Sequence, residues 1–388
     1  MKLKLFTLLS LVLAFSLIFS ACGKEADAME NADAQDSAVE ESVPEPEPTE
    51  EEILSMRAHE IVDNMTTEER AAQIFLVRFD KESAVSLTNE YCPGGFILFG
   101  KDFKEETPES IRELTASLQF RASTPLFFGV DEEGGTVARV SRYAAFRAEK
   151  FRSPQSLYNE GGLDLIRADA REKSELLLGL GINMNLAPVC DISTNPEDFM
   201  YERALGRGAE ETAEYVSAVC AEMKSAGILS VLKHFPGYGG NVDTHTGISV
   251  DERPYEQFVQ EDFLPFKAGI DAGADFVLVS HNSVLSMDAD YPASLSGNVH
   301  DILRNELSFD GVIITDDLEM DAVGQLADPG QTAVLAVNAG NDMLISSDFK
   351  TQYDAVLAAV SDGTISEDRL YDAALRVVTA KLKSGIIK

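Results

Sequence analysis

Eight short apolar runs, each followed by a helical stretch, constrain this chain more than any other feature of its sequence. The runs are Ala72–Val77, Gly95–Phe99, Pro125–Val130, Ile182–Ala187, Ile228–Lys233, Asp275–Ser280, Gly311–Thr315 and Asp342–Ile345. Most are apolar along nearly their whole length, as expected of parallel strands covered on both faces. Amphipathic stretches lie between them: Pro108–Arg121, Gly162–Gly179, Ala209–Ala226, Tyr255–Ala272, Val299–Leu307, Gln331–Ala339 and Phe349–Val360. A final helix is expected over Ser366–Ser384. Strand–helix alternation repeated eight times predicts a closed (β/α)8 TIM-type barrel, α/β in class, as a single domain over residues 53–388. The competing architecture is an open, doubly wound sheet.

The first fifty residues do not fit that pattern. Lys2 and Lys4 open the chain, an apolar run extends from Leu5 to Phe19, and small residues lead to Cys22. This reads as an export signal over residues 1–22. About 15 apolar residues fall short of the roughly 20 that a spanning helix needs, which disfavours a retained anchor. Phe19-Ser20-Ala21-Cys22 resembles a bacterial lipobox, with Phe19 where Leu is usual; that resemblance implies a lipid on Cys22. Residues 25–52 contain twelve acidic residues and no Lys or Arg, with prolines at 44, 46 and 48. Like charges and prolines cannot bury a core, so residues 23–52 are expected to form a solvated, disordered tether. The expected location is the extracytoplasmic face of the cell membrane, held by the lipid anchor.

The four cysteines are Cys22, Cys92, Cys190 and Cys220. With Cys22 lipidated, three remain, and no complete disulfide framework is possible. The chain carries 66 Asp and Glu against 32 Lys and Arg. That excess argues against a nucleic-acid partner, which would favour a basic face.

Active sites of barrels form where the strands end. Polar residues follow the apolar runs at those points: Asp131, Lys233-His234, His281-Asn282 and Asp316-Asp317. A carboxylate at a barrel mouth can attack the anomeric carbon of a sugar and form a covalent intermediate. Asp316 and Asp317 are both placed for this, although an Asp before a helix also serves as a cap. The glycine-rich stretch from Lys233 to His245 is a loop in which Asp243 and His245 can share one side. An Asp bonded to a His suits a proton shuttle near neutral pH. The same stretch admits two further readings, a metal site built from His234, Asp243 and His245, or a loop His held by a local Asp. In Asp131–Arg139 two glycines permit a sharp turn. Asp131 and Arg139 can hold sugar hydroxyls there, or pair with each other.

Several strings, taken in order, resemble family 3 glycoside hydrolases, and within them the β-N-acetylglucosaminidase (β-N-acetylhexosaminidase) branch. They are Met65–Glu69, Gly94–Phe99, Asp131–Arg139, Asn185–Asp191, Arg203–Gly206, Lys233–Gly237, Pro292–Ser296 and Phe309–Leu318. The resemblance spans about residues 53–388. It implies that Asp316 is the nucleophile and that His245, oriented by Asp243, is the general acid and then base. It implies substrate contacts from Asp131, Arg139, Arg203, Lys233 and His234, with no metal and no cofactor. The activity it implies is retaining, exo-acting removal of terminal N-acetylhexosamine from amino-sugar glycosides, including cell-wall saccharides. Tyr238 stands where the family usually has His, the loop before Asp243 is one residue shorter, and Cys190 replaces an aliphatic residue. The alternatives are β-glucosidase or glycoside phosphorylase specificity on the same barrel, and a non-catalytic surface saccharide-binding protein.

Overall fold

A computed structural model describes residues 48–241, 249–324 and 326–388. Eight strands follow one another in space as in sequence: β1 (Phe75–Arg78), β2 (Gly95–Leu98), β3 (Phe127–Val130), β4 (Met184–Asn185), β5 (Leu229–Phe235), β6 (Phe276–Val279), β7 (Val312–Thr315) and β8 (Leu344–Ser346). Each pairs in parallel with its neighbour. The ring closes where β8 pairs with β1 and a parallel bridge joins Ile314 to Met343. The expected (β/α)8 barrel is therefore present.

The strands read as continuously apolar because both faces are buried. Leu76, Ile97, Phe127, Met184, Val231, Leu278, Ile314 and Ile345 fill the barrel interior. Phe75, Val77, Phe96, Phe128, Leu232, Val277, Ile313 and Leu344 alternate with them and pack under the surrounding helices. The side-chain period of two thus assigns alternate residues to two cores. Val377 and Ala380 of the C-terminal helix (Glu367–Lys383) belong to the interior core and close one end of the barrel.

Four boundaries differ from expectation. Ala72 belongs to the helix Thr67–Gln73, whose start is fixed by a reciprocal Thr66–Glu69 capping box, so β1 begins at Phe75. Strand β5 runs on to Phe235, which places Lys233 and His234 within it. A first helix, Glu50–Asp63, begins inside the stretch read as tether, at a Thr49–Glu52 capping box. Its Ala58 and Val62 pack with Ala374, Val378 and Leu382 of the C-terminal helix. The helix expected from Gly162 starts at Pro154 and is interrupted at Gly162, where φ is +58°. Helices Pro108–Arg121 and Ala209–Ala226 match their expected spans.

Among the described residues, Cys92, Cys190 and Cys220 are buried and free of disulfides. No described helix is long and apolar enough to cross a membrane. The stretch read as an export signal, with Cys22, and residues 23–47 of the expected tether lie outside the described residues.

Candidate active site

The site grows from the ends of β3, β5 and β7. Beyond β3 the chain forms a small hairpin, Glu132–Gly134 against Val137–Ala138. Glu132 is fully buried and organises this turn. Its carboxylate accepts the backbone N–H groups of Arg139 (2.8 Å) and Val140 (2.7 Å) and the hydroxyl of Ser141. Its own N–H donates to Asn185 Oδ1 at 2.9 Å. The turn brings the chain back so that Asp131 and Arg139 line the same cavity. Gly134 has a φ of +97°, and a Cβ there would meet the Arg152 carbonyl at 2.2 Å, so the turn requires glycine.

The polar wall of the cavity is a buried charge network. Lys233 Nζ donates to Asp131 Oδ1 (2.6 Å) and Glu133 Oε1 (2.7 Å). Arg203 grips Glu133 with two prongs, Nε to Oε2 at 3.0 Å and Nη2 to Oε1 at 2.7 Å. Arg139 Nη2 lies 3.7 Å from Asp131 Oδ2. Burial opposes charge on Glu133, but Arg203 and Lys233 outweigh it and hold its carboxyl well below the usual range. Burial likewise opposes the charge on Arg203, and Glu133 outweighs it, leaving that guanidinium more firmly protonated than usual.

His234 joins the wall from β5. Its Nδ1 is 2.7 Å from Asp191 Oδ2, and its Nε2 is 3.2 Å from Arg203 Nη2. Arginine only donates, so Nε2 must accept and Nδ1 must carry the proton to Asp191. Asp191 also accepts the backbone N–H groups of His234 (3.1 Å) and Tyr238 (2.8 Å). Both ring nitrogens of His234 are thereby engaged within the protein. Among the described residues no group of three or more His, Cys, Asp and Glu is placed to hold a metal ion.

The two carboxylates after β7 divide their work. Asp316 Oδ1 accepts the N–H of Asp317 at 2.9 Å, and Asp316 lines the cavity. Asp317 Oδ1 accepts the N–H of Glu319 (3.1 Å), and its Oδ2 accepts the Ser347 hydroxyl. Asp317 thus does the turn-forming work that an Asp at this point can do. Burial, against the Ser347 hydrogen bond, raises its carboxyl above the usual range. Beneath it His281 Nε2 donates to the Asp317 carbonyl at 3.0 Å.

The cavity occupies about 810 Å³. Asp131, Arg139, Arg203, Lys233, His234 and Asp316, all singled out in the sequence, share it with Asp317. Asp243 and His245 lie outside the described residues. The floor is apolar, with Ile97, Leu186, Leu278 and Ile345, and Phe99 and Phe199 stand in the walls. Arg78 stacks over the Phe99 ring, its Cζ 3.8 Å from the centroid. Such a pocket offers apolar surface to a sugar face and a ring of donors and acceptors to its hydroxyls. Sequence reasoning gave no role to Glu133, Asp191, Arg78 or the two phenylalanines. The available signal for Glu133 and Asp191 was an acidic residue inside an otherwise apolar or glycine-rich string.

Residues 66–380 match the family described as Glycosyl hydrolase family 3 N terminal domain. A beta-hexosaminidase of Nitrosomonas eutropha is 32% identical over 272 residues, covering 69% of this chain and 77% of the relative. One from Methylobacillus flagellatus is 32% identical over 277 residues, covering 68% and 76%. The solved glycoside hydrolase family 3 beta-N-acetylglucosaminidase of Paenibacillus sp. str. FPU-7 superposes with a TM-score of 0.78 at 31% identity over 84% of this chain. This chain spans 64% of that protein's length.

Proposed function

The chain belongs to glycosyl hydrolase family 3, and on that premise we propose that this glycoside hydrolase is a retaining, exo-acting β-N-acetylglucosaminidase. Asp316 attacks the anomeric carbon and forms a glycosyl ester while the bond to the aglycone oxygen breaks. His245, oriented by Asp243, gives that oxygen its proton. It then takes a proton from water as the water cleaves the ester and restores Asp316. Lys233, Arg203, Asp131 and Arg139 hold the sugar's hydroxyl and acetamido groups, and His234 contributes by steadying Arg203. The observation that carries this reading is that Asp316 faces the same cavity as all five of these side chains.

An aryl-glycoside panel on the purified protein tests it. N-acetyl-β-glucosaminides are expected to be cleaved fastest, with release of the β-anomer first and no dependence on phosphate. An α-anomeric first product would rule out the covalent intermediate, and a requirement for phosphate would make the enzyme a phosphorylase. Cell-wall saccharides are the proposed natural substrates, reached from a lipid anchor on Cys22. Cys22→Ala is expected to move the protein from the membrane fraction to the soluble fraction; retention in the membrane would refute the anchor.

A further inference from the structure

Segment 242–248, which carries Asp243 and His245, leaves the described structure at Asn241 and returns at Ser249. One side chain ties the two limbs together. Arg253 Nη2 donates to the carbonyl of Gly237 on the outgoing limb at 3.2 Å. Its Nε and Nη2 donate to Asp251 Oδ2 on the returning limb at 2.9 and 2.8 Å. Its Nη1 donates to Asp262 Oδ2 at 2.8 Å, which fastens the pair to the next helical stretch. The guanidinium lies 4.2 Å above the Phe258 ring centroid. Asn241 Nδ2 also joins the limbs directly, donating to Asp251 Oδ2 at 2.7 Å.

The fit is close. Gly239 has a φ of +55°, and a Cβ there would lie 2.7 Å from Arg253 Cζ. Gly237 has a φ of +122°, and a Cβ there would meet Asp262 Oδ1 at 2.2 Å. Between these glycines, Tyr238 donates its N–H to Asp191, which also holds His234. The outgoing limb is thus registered to the sugar-binding wall through Asp191 and to the returning limb through Arg253.

We propose that Arg253, with Asp251 and Asn241, is a positioning device for the general acid/base. It fixes the span between the two limbs that flank His245 in sequence, without itself touching the substrate. This rests on the acid–base role given to His245 above. Four donated hydrogen bonds to buried carboxylates and a carbonyl make the guanidinium a rigid brace. A displacement of about 1 Å at a reacting centre can cost roughly 10²-fold in rate.

The test uses the full chain with Arg253→Met, Arg253→Lys and Asn241→Ala. The readout is kcat/KM on 2,4-dinitrophenyl, 4-nitrophenyl and phenyl N-acetyl-β-glucosaminides, because kcat/KM reports formation of the glycosyl-enzyme. Dinitrophenolate leaves without a proton, whereas phenoxide departure depends on one. Arg253→Met is expected to lose about 10²-fold or more on the phenyl substrate and no more than about threefold on the dinitrophenyl substrate. Arg253→Lys should recover part of the phenyl activity. Asn241→Ala should show the same ordering with a smaller loss, and it keeps the test available should Arg253→Met fold poorly in a thermal melt. Equal losses on all three substrates, or no loss on any, overturn the proposal. A His245→Ala variant that loses no more on the phenyl than on the dinitrophenyl substrate would count instead against the acid–base reading itself.

Discussion

Lys233 Nζ lies 2.7 Å from Glu133 Oε1, and each side chain is only 2% exposed. With Arg203 on its other face, Glu133 is the shared anion for two buried or nearly buried cations. Removing one partner of such a cluster leaves uncompensated charge, at a cost of about 3–5 kcal/mol. Glu133→Gln is therefore expected to lower the melting temperature by roughly 10 °C and kcat/KM by on the order of 10²-fold, because Lys233 and Arg203 lose their placement. Because the Glu133 carboxyl is held below its usual range, its contribution is complete above the unfolded carboxylate range. It is lost only in stronger acid, as pH falls through the depressed folded value. A melt within 2 °C of wild type would sink this account.

The division between Asp316 and Asp317 makes a second prediction. Asp316→Ala is expected to reduce hydrolysis of an aryl N-acetyl-β-glucosaminide by at least about 10³-fold while leaving the melting temperature near wild type. Asp317→Asn keeps an oxygen for the Glu319 N–H or the Ser347 hydroxyl and removes a carboxylate that burial already disfavours. It should cost less than about tenfold in rate. Side-by-side kinetics decide the matter: comparable losses from the two substitutions would refute the division.

The strand pattern was legible because each barrel strand must satisfy two cores at once. Phe75 and Val77 face the helices while Leu76 faces the interior, so no polar residue interrupts the run. Helices Pro108–Arg121 and Ala209–Ala226 were legible as amphipathic stretches; in the structure Thr107 caps the first and Gly227, at φ +82°, stops the second. Asp131, Lys233, His234 and Asp316 could be named because a closed barrel gathers strand ends that are far apart in sequence, Arg139 because it follows the glycine turn after β3, and Arg203 only through the family resemblance. Glu133 and Asp191 were not assigned roles because their work lies in partners 70 and 43 residues away, Arg203 and His234. Sequence spacing does not carry that geometry. Ala72 was placed in a strand because alanine in a helix and alanine in a buried strand look alike until the Thr66–Glu69 box is recognised.

Asp191 gives a third prediction. It accepts three N–H donors, from the His234 ring, the His234 backbone and the Tyr238 backbone. An orphaned buried donor costs about 1–3 kcal/mol. Asp191→Ala should therefore destabilise the protein by several kcal/mol, and it should free the His234 ring to change tautomer. In the wild type, nitrogen-15 spectra of the histidine side chains are expected to show His234 neutral, with Nδ1 protonated and Nε2 bare. A protonated Nε2 with a bare Nδ1 would contradict the hydrogen-bond assignment.

Lys381 supplies a prediction about pH. Its amine is fully buried in the C-terminal helix, 2.7 Å from Gln73 Oε1 and 4.9 Å from the Phe127 ring centroid. Burial there pulls its pKa down to about 7. Between pH 7 and the ordinary lysine range near 10.4 the unfolded chain binds a proton that the folded chain does not. Stability must therefore rise with pH across that window, and the penalty is largest at and below pH 7. Lys381→Met keeps the side chain's length and removes the proton. It leaves Gln73 Oε1 without its donor, a cost that does not vary with pH. Buried tyrosines and cysteines also titrate in the alkaline range, but they are common to both proteins and cancel in the comparison. From pH 7 to pH 9 the wild type should gain about 2 kcal/mol relative to Lys381→Met, at about 1.4 kcal/mol per pH unit once the folded amine is neutral. Urea unfolding of the two proteins at both pH values measures this difference directly. If it is the same at pH 7 and pH 9, Lys381 remains charged inside the barrel, and Gln73 with the Phe127 ring must stabilise the ammonium far more than burial penalises it.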